Sequence, residues 1–279
     1  MRVLVTGAGG QVGREVLAAL AGRDVVAADH QSLDVTDRDA VLGAMTTLAP
    51  DAVVHTAAWT AVDDCEADPD RAFAVNALGT RHVADGARRV GAHVLYVSTD
   101  YVFDGTKPAP YTEWDEPNPQ SVYGHSKLAG ERELGPEATV VRASWICGRY
   151  GTNMAKTILR LAGEHDTLTF VDDQRGHPTF ADDLAGMLVR LLVDRRPGVY
   201  HVTNQGAVSW FEFARAVLEA AGLDPQRVQP ITTADLQPPR PAPRPANSVL
   251  DNAALRLAGL PLLPDFREPL ARLVAELHA

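Results

Sequence analysis

The stretch RVLVTGAGGQVGREVLAAL, residues 2–20, constrains the chain most. A β-branched run meets Gly7, Gly10 and Gly13 in GxxGxxG spacing and passes directly into a helical pattern. Each glycine has its own task in such a strand–turn–helix unit. Gly7 permits the tight turn, Gly10 lets backbone approach a pyrophosphate, and Gly13 lets helix and strand pack closely. The helix N-terminus offers free N–H groups and partial positive charge to phosphate. This context, more than the glycines alone, points to dinucleotide binding. The alternative is a tight turn without a ligand.

The alternation continues along the first half. DVVAAD, DAVVHTAA, AHVLYVST and ATVVRAS read as strands, separated by helical patterns such as DRDAVLGAMTTL and PDRAFAVNALGTRHVADGARR. Strands separated by helices imply βαβ units, and right-handed crossovers make an α/β doubly wound parallel sheet of Rossmann type the leading topology. The texture changes near residue 147. A dinucleotide-binding domain is therefore expected over 1–146 with about 166–195, and a smaller C-terminal substrate domain over about 147–165 and 196–279. In the latter, SWFEFARAVLEAAG reads as a helix opened by a Ser209–Glu212 capping box and closed near Gly222. QPPRPAPRPANS reads as a rigid surface loop.

The balance of 26 basic against 36 acidic residues, net −10, disfavours nucleic acid and anionic membrane as partners. No apolar run approaches the ~18–20 residues of a membrane span or forms a signal h-region, so the cytoplasm is the expected location. Cys65 and Cys147 are the two cysteines and read as free thiols. No metal-ligand spacing appears.

Asp29 ends the second strand, where a carboxylate can accept hydrogen bonds from ribose hydroxyls and would repel a 2′-phosphate. That leans toward NADH, with His30 and Arg38 close enough in sequence to offset it. Asp34 and Val35 suit contacts to an adenine edge, or else precede and cap the next helix. In SVYGHSKLAGE, Tyr123 and Lys127 stand four apart and share a helix face. A nearby ammonium lowers a phenol's pKa and would equip it for proton transfer; the alternative is an ordinary amphipathic helix.

GAGGQVG, STDYVFDG and YGHSK, in that order, resemble the extended short-chain dehydrogenase/reductase family. HTAAWTAVDDCE, FAVNALGT, VRASWICGRYGTNM, DDQRGHPT and RPANSVLD narrow the resemblance to its dTDP-4-dehydrorhamnose reductase branch, over residues 1 to about 252. The resemblance implies that Tyr123 donates a proton to a ketone oxygen, that Lys127 holds the nicotinamide ribose, and that Thr99 hydrogen-bonds the same carbonyl. Asp100 would contact the sugar, Tyr101 would line its pocket, and Trp145 would flank the sugar nucleotide. Gln11 and Val12 match the pyrophosphate turn; Ala58, Trp59 and Thr60 match the loop carrying the cofactor's centre. Asn153 and Arg244 are candidates for the nucleotide diphosphate. Asn76 either holds a relay water or makes a helix–strand hydrogen bond, and His55 replaces the family's usual asparagine.

Some relatives hold magnesium through carboxylates, one on the first helix. Glu15 occupies that helix, but no convincing partners accompany it and no metal is assigned. The implied reaction is reduction by NADH or NADPH of the C4 ketone of dTDP-4-dehydro-L-rhamnose, by a monomer or homodimer. Rival readings are reduction of another nucleotide-linked 4-keto-6-deoxy sugar and a non-catalytic dinucleotide-binding regulatory subunit. Asp100 followed by Tyr101, rather than an acidic pair, disfavours dehydration.

Overall fold

The computed structural model describes residues 1–278. In its first half, β1 (Arg2–Thr6) turns into α1 (Gln11–Ala19), followed by β2 (Asp24–Ala28), α2 (Arg38–Leu48) and β3 (Ala52–His55). Helices α3 (Val62–Ala67) and α4 (Pro69–Phe73) lead through a π-helical turn (Ala74–Leu78) into α5 (Gly79–Val90). Then come β4 (His93–Thr99), α6 (Val122–Arg132) and β5 (Thr139–Ala143). The second half contains β6 (Ile146–Cys147), α7 (Met154–Glu164), β7 (Leu168–Val171), β8 (Arg175–Gly176), β9 (Thr179–Phe180), α8 (Ala181–Val193) and β10 (Gly198–His201). It ends with β11 (Val208–Ser209), α9 (Trp210–Ala220), β12 (Val228–Ile231), α10 (Ala253–Leu257) and α11 (Arg267–His278).

Six strands form one parallel sheet in the order β10-β5-β4-β3-β1-β2. Alternate residues of β1 face opposite sides. Val3 and Val5 pack with Leu184 and Leu188 of α8 and Val16 of α1. Leu4 packs with Val41 and Met45 of α2 and Val83 of α5. Helices therefore cover both faces, as the near-continuous apolar strands require. The chain reverses its direction of progress across the sheet between β1 and β3, and a crevice opens beyond their carboxyl ends.

A second core joins Ile158 of α7, Phe213 of α9, and Phe266 with Leu270 at α11. Helix α9 begins with the expected capping box: Ser209 Oγ accepts from Glu212 N, and Glu212 Oε2 accepts from Ser209 N. Two segments fall on the other side of the expected division. β10 pairs with β5 in the main sheet, whereas β7 pairs with β12 and places Leu168 in the second core. Short apolar runs show that a strand exists; which sheet accepts it depends on distant partners. Both cysteines are free and buried. Among the described residues, no helix is long and apolar enough to cross a membrane.

Gly13 shows why the first turn needs its glycines. A Cβ there would lie 2.3 Å from Gly7 O and 2.8 Å from Ala8 Cα, both backbone atoms that cannot step aside. Gly43, on α2, has nothing within 4 Å of a built Cβ. In urea denaturation, Gly13→Ala is expected to lose about 1–3 kcal/mol through overpacking. Gly43→Ala should be stabilising by roughly 0.5–1 kcal/mol.

Candidate active site

Thr99 ends β4 at the sheet's carboxyl edge, and α6 lies against it. Ser121 caps α6 by accepting from Gly124 N at 3.1 Å. Gly124 allows the close approach, since a Cβ there would meet Tyr101 O at 2.3 Å. The first turn of α6 thus brings the Tyr123 side chain close to Thr99. The Tyr101 ring meets the Tyr123 ring edge-on, with centroids 5.6 Å apart. Thr99 Oγ1 also donates to Asp100 Oδ1 at 3.0 Å. Burial pushes the Asp100 carboxyl up to about 6, with the neighbouring Ser248 and Thr99 hydroxyls opposing the shift. Its Oδ2 is buried without a partner and can receive a ligand hydroxyl.

Tyr123 and Lys127 do share one helix face, but the expected electrostatics differ. Lys127 is 2% exposed; Nζ donates to Val97 O at 2.8 Å and lies 4.0 Å from the Tyr96 ring centroid. Burial lowers its pKa to about 7, with Glu131 opposing the shift. Burial raises the Tyr123 phenol above its ordinary range, and the neighbouring Thr99 hydroxyl counters only part of that. Desolvation, not the charge four residues along the helix, sets the direction of the Tyr123 shift. Glu131, one turn beyond Lys127, is held by Arg142 Nε and Nη2 at 2.9 and 2.7 Å and by Ser98 Oγ.

The glycine turn sits at the other end of the crevice. Gly10 begins α1 with no side-chain cap, so the first-turn N–H groups of Gln11, Val12 and Gly13 are not capped by a side chain. A cleft of about 690 Å3 adjoins the turn, lined by Ala8, Gly9, Arg14, Asp29, Ser32 and Tyr150. These features fit the adenosine and phosphate end of a dinucleotide. Asp29 Oδ1 accepts from Gln31 N, Ser32 N and Ser32 Oγ, and these bonds lower its pKa. Ala58, Trp59 and Thr60 follow β3 on the same edge. The Asn76 amide clamps that loop, accepting from Trp59 N at 2.8 Å and donating to Trp59 O and Ser126 Oγ. These bonds run to a loop and to α6, in place of the expected helix–strand hydrogen bond.

Other expected residues are engaged elsewhere. Asp34 closes an Asx turn on Thr36, Val35 packs against Gly79, and Asp37 is the residue that caps α2. Asn153 Nδ2 donates to Gln11 Oε1 and Gly148 O while Oδ1 caps α7. Both ends of that amide are used, and it adjoins the glycine turn. Arg244 grips Asp63 bidentately at 2.5 and 2.7 Å and also meets the Tyr101 hydroxyl. Trp145 stacks on Trp210. His55 is fully buried between Thr6 and Thr80, and burial lowers its pKa to about 3, so it is neutral. Glu15 is bound to Arg149, and among the described residues no cluster of three or more His, Cys, Asp or Glu could hold a metal.

Sequence reasoning missed Ser248, Asp63, Glu131 and Trp210 as members of this region. Ser248, Glu131 and Asp63 lay inside quoted motifs, whereas Trp210 gave no signal beyond ordinary helix composition.

The model of the RmlD substrate binding domain matches residues 1–279. The chain belongs to this family. A dTDP-4-dehydrorhamnose reductase of Mycobacterium tuberculosis is 44% identical, with 98% of this chain and 92% of that protein covered. A probable dTDP-4,6-dihydroxy-2-methyloxan-3-one 4-ketoreductase of Streptomyces antibioticus is 42% identical, with 97% and 93% covered. The solved dTDP-4-dehydrorhamnose reductase from Bacillus anthracis, in complex with NADP, superposes with a TM-score of 0.94 at 38% identity, covering 99% of both chains. The fold and the family anticipated from the sequence are thus both found.

Lys127 gives a pH test. Its folded-state pKa of about 7 lies below its ordinary 10.5. Between those values the unfolded chain keeps a proton that the folded chain has released, so this group makes stability rise with pH. Wild type is expected to gain stability relative to Lys127→Met from pH 7 toward 10 in paired urea melts; a pH-independent difference would contradict the buried ammonium.

Proposed function

We propose that the protein reduces the C4 ketone of dTDP-4-dehydro-L-rhamnose to dTDP-L-rhamnose, using NADH or NADPH. The observation that carries this reading is the buried Tyr123 phenol placed beside Thr99 at the carboxyl edge of the sheet. Reduction of a ketone needs a proton donor, and burial keeps the phenol protonated. The bound nicotinamide supplies the hydride. As the carbonyl electron pair moves onto oxygen, Tyr123 gives that oxygen its proton, and Thr99 turns its hydroxyl from Asp100 Oδ1 to donate a hydrogen bond that orients it. Lys127 sits one turn behind to hold the nicotinamide ribose. Asp100 Oδ2 takes a sugar hydroxyl, with Tyr101 and Trp145 flanking the ring.

Arg244 meets the diphosphate by exchanging Asp63 for a phosphate partner, to which its planar fork is equally suited. Asn153 serves the same region indirectly, by fixing Gln11 of the pyrophosphate turn. The enzyme works in the cytoplasm, as a monomer or homodimer.

The S. antibioticus relative favours a second reading on the same site, with another dTDP-linked 4-keto-6-deoxy sugar as substrate. The regulatory-subunit reading has less support, because a pure binding module has no need of Thr99, Tyr123 and Lys127 together.

The test is loss of nicotinamide absorbance on mixing protein, cofactor and enzymatically prepared dTDP-4-dehydro-L-rhamnose. Tyr123→Phe should lower kcat by at least about 100-fold, the scale of a lost general acid. Turnover of the alternative sugar alone would move the assignment to that substrate. Cofactor binding without any turnover would favour the regulatory role. In the same assay, Asp29→Asn should move the kcat/KM ratio toward NADPH, because it removes a carboxylate from beside the ribose hydroxyl.

A further inference from the structure

Trp145 has a backbone φ of +46°, in the left-handed region. A bulky aromatic residue there costs on the order of 1–3 kcal/mol, so its surroundings must hold it in place. Two neighbours do so. The Trp210 indole stacks on it with centroids 3.5 Å apart and planes 9° from parallel. On the nitrogen side of the ring lies Gly176, where a Cβ would fall 2.6 Å from Cε2 and 2.8 Å from Nε1. The seat accepts the indole only because residue 176 has no side chain.

Trp210 is itself firmly fixed. It is the first residue of α9, directly after the Ser209–Glu212 capping box. Glu212 also pairs with Arg175, the neighbour of Gly176, at 3.1 Å. Behind Trp210 the contacts run edge-on to Phe213 and from Phe213 to Phe266, both fully buried. The stack thus links the second core to the catalytic edge. Thr99 registers with Ala143 on β5, two residues before Trp145. Both indoles remain only half-buried. A tryptophan required for the core alone has no need of a strained backbone or a partly open position.

We propose that Trp210 is a positioning residue for the sugar nucleotide, holding the Trp145 ring in the orientation in which it meets the ligand. This rests on the reading above, in which Trp145 flanks the sugar. The stack pre-pays the ordering of a large side chain that would otherwise be ordered on binding. Stacking also explains why the residue at 210 is aromatic when a branched aliphatic side chain would fill the same volume.

The experiment compares wild type, Trp210→Leu, Trp210→Phe and Gly176→Ala, each loaded with NADP. Isothermal titration with dTDP-L-rhamnose gives Kd, reductase assays give kcat and both KM values, and circular dichroism reads the coupled-indole signal. Trp210→Leu is expected to lose that signal and weaken Kd and sugar KM by about ten-fold, the cost of ordering one large side chain. Its kcat and cofactor KM should change less than two-fold, and Trp210→Phe should recover most of the affinity. Gly176→Ala displaces the ring from its other side and should weaken Kd without any change at Trp210, which serves if the leucine variant does not fold.

Wild-type Kd in both Trp210→Leu and Gly176→Ala overturns the proposal. So does a fall in melting temperature with both KM values changed alike, the mark of a purely structural role. Wild-type binding of dTDP-L-rhamnose without turnover would remove the reductase reading and leave the positioning role standing. Failure of wild type to bind the nucleotide sugar overturns both.

Discussion

The buried amino group of Lys127 is the constraint around which the carboxyl edge of the sheet is organised. A cation 2% exposed is expensive unless its donors are used and opposite charge is close. Val97 O takes one donor, the Tyr96 ring offers its face, and Glu131 adds negative charge from the next turn of α6. Glu131 in turn is buried and needs Arg142 of β5 and Ser98 of β4. Satisfying one lysine therefore fixes α6 across two strands. Tyr123, four residues earlier on the same face, is carried to Thr99 as a consequence.

The two cores are joined by polar contacts at the crevice. Gln11, in the first turn of α1, bonds both Ile146 O and Asn153. Glu15, one turn on, holds Arg149. On the other side, Asp63 holds Arg244 and receives Ala242 N from the proline-rich loop. These joints leave apolar packing inside each core and place polar contacts along the crevice between them. Asp63–Arg244 is one of them: a guanidinium in a bidentate pair with one carboxylate can take a phosphate in its place.

The glycine turn, the order of strands in the first half, the capping box at Ser209 and the face shared by Tyr123 and Lys127 were legible because each depends on neighbours within a few residues. Glycine spacing, strand alternation and i,i+4 geometry are local rules. The sheet membership of β7 and β10 was not legible, since pairing joins residues far apart in the chain. The sign of the Tyr123 shift was misjudged for a related reason. Spacing reveals which charge is near, but the desolvation that opposes it is a property of the whole packed edge.

The sequence by itself determined that the chain begins with a glycine-rich strand–turn–helix, that it builds a doubly wound sheet, and which family it belongs to. Those features are written in local pattern and in residue identity. Only the tertiary structure decided that Arg244 meets Asp63 and Tyr101, that Asn153 serves Gln11, and that Trp145 is held by Trp210 and Gly176. Each of these contacts joins segments separated by tens of residues or more. No periodicity in the chain encodes them, because close packing selects the partners only once both cores have formed.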